Sequence, residues 1–118
     1  MNKSIKKELL EHVLDLVKDG TINRENTDDW QDIAFNQDYY IIGYYQAEQW
    51  LEKHGVSPFE AVEYVVEQEI DIFGECNLTA ADFNAERIVN LMVYFLGYEL
   101  IQENEQEIIE AAIQAEKN

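Results

Sequence analysis

Four carboxylates, Glu60, Glu63, Glu67 and Asp71, recur at steps of three and four residues in the stretch FEAVEYVVEQEID, with no lysine or arginine among them. At about 100° per residue these positions fall within an arc roughly 80° wide, so on a helix they form one column. Carboxylates in a row can hold a cation, exchange protons, or present fixed negative charge to a basic partner. Like charges at these steps oppose each other by about 0.2–0.5 kcal/mol per pair, a tolerable loss against a typical stability of about 5–15 kcal/mol. Repulsion along the column therefore does not stabilise the helix that carries it. A second column, Glu99, Glu103, Glu107 and Glu110, lies near the carboxy terminus, and Asp28, Asp29, Asp32 and Asp38 form an earlier cluster.

Other chemistry finds little support. Asp71 and Asp82 bracket a possible twelve-residue calcium loop, but Phe73 and Cys76 stand where an oxygen ligand and a glycine are needed. Cys76, in GECN, has no local base and reads as a buried or idle thiol. His12 and His54 fall at the ends of different helices and read as surface or cap residues. There is no Gly-rich phosphate loop and no Glu-x-x-His pair. The expectation is a non-enzymatic protein without metal or cofactor. A single cysteine excludes an internal disulfide and fits a reducing cytoplasm.

The whole chain shares the charge of its columns. Eight basic residues face twenty-five acidic ones for a formal charge of −17, yet 47% of the residues are apolar, which is the composition of a folded protein. From Glu25 to Glu116 the only bases are Lys53 and Arg87. Nucleic acid and anionic membrane are thereby disfavoured as direct ligands, and a basic protein is favoured. The most apolar run, Ile88 to Leu96, is far shorter than the roughly 20 residues that span a bilayer. No signal-peptide pattern follows the amino-terminal lysines.

The elements that must carry these residues read as helices, in one domain over residues 1–118. Ser4 is expected to cap a first helix with Ile5, Leu9, Leu10, Val13, Leu14 and Val17 at helical spacing, closed by Gly20. Thr27 is expected to cap DDWQDIAF, with two aspartates in its first turn. A third helix is expected from about Tyr39 to Lys53; YYIIGYY has strand propensity, but QAEQWLEKHG makes it helical. SPFE is the strongest signal: Ser57 caps, Pro58 takes the first helical position, and Glu60 completes a capping box. That helix should reach about Ile72, burying Phe59, Val62, Val65, Val66, Ile70 and Phe73. Thr79 starts another, with a restart at Asn84, and helical periodicity then continues as a long carboxy-terminal helix. Gly97, inside it, marks a kink or a close helix contact. The tyrosines and tryptophans supply the core and its rim, or else a partner face. Ile88 to Leu96, apolar nearly all round, reads as a central helix, with a dimer seam as the alternative. The fold class is all-α, a compact acidic domain of about five helices.

Successive carboxylates of one column stand about 4.5–6 Å apart along the helix axis, whereas duplex DNA carries one phosphate per ~1.7 Å. Several columns, or a homodimer, approach that density, and a protein that grips DNA with Lys and Arg would accept such a surface. NTDDWQDIA, followed by a Tyr pair and an acidic carboxy-terminal helix, resembles the Ocr antirestriction proteins of short-tailed phages. FNQDYYIIGYYQAEQWL is also similar to small uncharacterised phage proteins. The Ocr resemblance implies a helical dimer that imitates bent B-form DNA in the host cytoplasm and blocks restriction-modification enzymes, with Asp28, Asp29 and Asp32 on the mimic surface. The alternative is an acidic structural or adaptor module that binds one protein through an apolar or aromatic patch.

Overall fold

The computed structural model describes residues 2–35 and 44–117. Among them are six α-helices, α1 (Asn2–Lys18), α2 (Trp30–Phe35), α3 (Tyr44–Lys53), α4 (Pro58–Phe73), α5 (Ala85–Glu103) and α6 (Glu105–Lys117), two 3-10 turns at Thr27–Asp29 and Ala80–Asp82, and no strand. The protein is all-α. The start expected for the third helix, and with it Asp38, lies outside the described residues.

α5 organises the fold because it packs against each of the other five helices. That is why its sequence is apolar nearly all round: every residue from Ile88 to Val93, with Phe95, Leu96, Gly97 and Leu100, is buried. α1 lays Ile5, Leu9, Val13 and Val17 in one strip against α5 and α6, each at most 1% exposed. Gly97 is a contact and not a kink. A Cβ built there would lie 2.9 Å from Cε2 of Phe35 and closer still to Cδ2, so only glycine lets the buried Phe35 of α2 sit directly on α5.

The helix ends follow the sequence in part. Asn84 caps α5, its side chain accepting from the N–H of Arg87 at 2.9 Å, after the 3-10 turn that Thr79 opens. Two expected caps are corrected. α1 begins at Asn2, which places Ser4 inside the first turn, and Thr27 opens a 3-10 turn without capping α2. Asn26 organises that loop instead, its Oδ1 accepting from the N–H of Asn23 at 2.9 Å and from the indole of Trp30 at 3.1 Å. The long carboxy-terminal helix is also corrected: it breaks at Asn104, whose φ of −118° and ψ of 20° leave the helical region. The Asn104 amide donates to Leu100 O at 2.8 Å, meeting a carbonyl at the helix end as asparagine does where a helix stops. Among the described residues, no helix is long and apolar enough to cross a membrane.

Candidate functional site

α4 is fixed at both ends by its own sequence. The Ser57 hydroxyl accepts from the N–H of Glu60 at 3.1 Å, and the Glu60 carboxylate accepts from the N–H of Ser57 at 3.2 Å. At the other end Gly74, with φ of 81°, donates its N–H to Ile70 O at 2.8 Å. A helix held this way presents its side chains in a defined order, and they sort into three faces.

The inward face is Ala61, Tyr64, Val65 and Glu69, packed on α5. Burial and the neighbouring Glu99 carboxylate push the Tyr64 phenol well above its ordinary pKa. The expected buried face is therefore corrected. Of its six residues only Val65 is fully buried, Val62 and Val66 are half-buried, and Phe59, Ile70 and Phe73 are 74%, 48% and 56% exposed. Ala61 lets α4 approach α5 closely on one narrow side, and with α5 as its principal neighbour the rest of the apolar arc is left uncovered.

The third face is the acidic column. Glu60, Glu63, Glu67 and Asp71 are all exposed, and among the described residues no Lys, Arg or His nitrogen lies within 4.0 Å of their carboxylates. The second predicted column does not survive as one. Glu99 and Glu103 both engage Lys6 of α1, at 3.3 and 2.6 Å, whereas Glu107 and Glu110 are exposed on α6 beyond the Asn104 break. The hydrogen bond to Glu103 leads in raising the Lys6 pKa, against the opposing effect of burial. Asp28 and Asp29 are exposed on their 3-10 turn, and Asp28 shares a cleft with Tyr98, Gln102 and Glu105. Asp32 accepts from the Tyr94 hydroxyl at 3.3 Å and so ties α2 to α5. The predicted site residues thus divide into an exposed set on α4, the turn and α6, and a set, Asp32, Glu99 and Glu103, engaged in holding helices together.

A polar clasp, not among the expected site residues, joins α1 to α3 and the residue that follows it. Glu8 accepts from the Trp50 indole at 2.8 Å and from Lys53 at 3.0 Å. His54, with its side chain only 3% exposed, places Nε2 3.5 Å from Glu8 and Nδ1 2.7 Å from the Ser4 hydroxyl. His12 likewise meets Ala34 O at 3.1 Å. Both histidines, expected as surface or cap residues, tie elements together, and His54 does stand at the end of α3. Local spacing puts Trp50, Lys53 and His54 on one side of the chain at the end of α3, but it does not name their partner, which lies more than forty residues away. Cys76 is a free, exposed thiol, not a buried one. Asp82, the end of the calcium-like loop, caps Thr79 and pairs with Arg87 at 3.3 Å. Among the described residues no three His, Cys, Asp or Glu side chains are grouped to hold a metal ion.

No family model matches this chain, and no curated protein or solved structure shows significant similarity to it.

Proposed function

We propose that the chain is a non-enzymatic, phage-type inhibitor that imitates the charge of nucleic acid and occupies the DNA-binding groove of a host defence enzyme of the restriction-modification type. The observation that carries this reading is the α4 column, four exposed carboxylates without a basic neighbour among the described residues. Asp71 also sits in the last turn, where the helix macrodipole disfavours an anion and where α4 has no basic residue. Glu60 also serves the capping box, but Glu63, Glu67 and Asp71 make no such contact for the fold, and a partner rich in Lys and Arg accounts for them.

The density of charge sets what such a surface can displace. Seventeen net negative charges along a 48 Å molecule amount to about one per 2.8 Å, denser than the ~3.4 Å spacing of one DNA strand and sparser than the ~1.7 Å of a duplex. A monomer competes with a single strand by this measure, and a homodimer with a duplex. The test is capture from bacterial lysate on immobilised protein, followed by elution with duplex DNA. Wild type should hold nucleic-acid enzymes that DNA displaces, and Glu60→Gln/Glu63→Gln/Glu67→Gln should not. Equal capture by both proteins would overturn the reading.

The exposed Phe59, Ile70 and Phe73 favour a second reading, an adaptor that binds one protein through an apolar patch. Its complex would survive moderate salt, whereas a charge mimic would release as ions screen it.

A further inference from the structure

The uncovered apolar arc of α4 runs the length of the helix. Phe59, Val62, Val66, Ile70 and Phe73 fall within about 80° of arc, and the stripe they form is about 21 Å long. Apolar side chains at this spacing normally face a core; here three of them are about half exposed or more. Contiguous apolar surface of this kind marks interaction sites on folded proteins. Beside Val62 the stripe opens into a cavity of about 330 Å³, walled by Leu51 of α3, Pro58 of α4, Ile88 of α5 and the exposed Phe83. The cavity gives the stripe depth at one point, enough to seat a large apolar side chain.

Charge decides the occupant. The Glu60, Glu63, Glu67 and Asp71 column runs along one edge of the stripe, and Glu48 stands at the rim of the cavity. A second copy seated on this face would place carboxylates beside carboxylates, which favours neither encounter nor desolvation there. An acidic or neutral helix would leave the column unanswered. An amphipathic helix with an apolar face and flanking lysines or arginines satisfies both features together, the helix-in-groove mode of recognition. We infer that α4 docks a basic amphipathic helix of a partner protein, its apolar face on the Phe59-to-Phe73 stripe and its basic edge along the carboxylate column. This goes beyond charge mimicry: mimicry needs only the carboxylates, whereas docking needs the stripe as well.

The experiment measures fluorescence anisotropy of labelled leucine–lysine peptides of about 18 residues, long enough to cover the stripe. In one peptide the leucines recur at three- and four-residue steps; in the other the same residues are scattered round the helix. Wild type should bind the amphipathic peptide about tenfold or more tightly than the scattered one. Phe59→Ser/Ile70→Ser/Phe73→Ser should abolish that preference while keeping its helical circular dichroism, and the single Phe59→Ser variant serves if the triple variant does not fold. Equal binding of the two peptides by wild type, or a preference that survives removal of the stripe, would overturn the inference. A wild-type dimer in sedimentation that the stripe variant disperses would overturn it too, by showing a second copy on this face. Glu60→Gln/Glu63→Gln/Glu67→Gln separates the two proposals, because it leaves the stripe intact: if it still captures the DNA-displaceable proteins, mimicry falls and docking stands or falls on the peptide preference alone.

Discussion

Glu8 shows how an acidic protein uses one of its few bases. Burial works to raise the pKa of its carboxyl, and the hydrogen bonds from Trp50 and Lys53, with the charge of Lys53 and the nearby His54, outweigh that and hold it below the ordinary glutamate value. A carboxyl whose folded-state pKa is lowered contributes stability that is fully present above its unfolded value and is lost as pH falls through the lowered one. Glu8→Gln should therefore cost about 1–2 kcal/mol at neutral pH in urea unfolding, with the gap from wild type closing below about pH 4. A gap that stays constant down to pH 3 would mean the contacts are not charge-assisted. Lys6 has the opposite sign: its raised pKa makes its bridge to Glu103 and Glu99 fully effective below the ordinary lysine value and lost only in strong alkali. None of this clasp was readable from local spacing, because each pairing joins residues distant in the chain.

At the scale of helices, the tightest constraint is the seat of Phe35 on Gly97. Gly97→Ala gains about 1 kcal/mol of helix propensity, but forcing a methyl group into a close-packed contact costs about 1–3 kcal/mol. The expected outcome is net destabilisation in chemical unfolding, and in a Phe35→Ala background the same change should cost nothing or stabilise. If Gly97→Ala alone raises stability, α2 does not lie on α5 as described. Much of this level was legible. SPFE, Gly74 and the Asn84 cap act through neighbours in sequence, so they set α4 and the start of α5 correctly. The break at Asn104 is masked in the sequence because apolar periodicity runs on through Ile101 and Ile108. The packed face of α4 was misassigned for a different reason. A helix with apolar residues round much of its circumference does not say which side meets a neighbour, and the small Ala61 proved decisive over the larger Phe59.

At the scale of the molecule, a charge of −17 opposes the compact state through self-repulsion. Neighbouring carboxylates of the α4 column lie closer together than the ~8 Å Debye length at physiological salt, so sodium chloride should raise the melting temperature. Glu60→Gln/Glu63→Gln/Glu67→Gln should raise it as well, by an amount that corresponds to about 1 kcal/mol, and should flatten the salt effect; glutamine still serves at the third position of the capping box. A melting temperature that falls with salt would show the column to be compensated. The sequence displayed this column in full, whereas the loss of Glu99 and Glu103 to Lys6 depended on how α1 meets α5. The most direct measurement of partner recognition by the column is the affinity of wild type and the Gln variant for a DNA-displaceable partner across a salt series. Charge mimicry predicts a steep loss of wild-type affinity with salt, and for the variant a weaker affinity and a shallower slope. Identical affinities and slopes for the two proteins would contradict it and leave the column as no more than a solvated face.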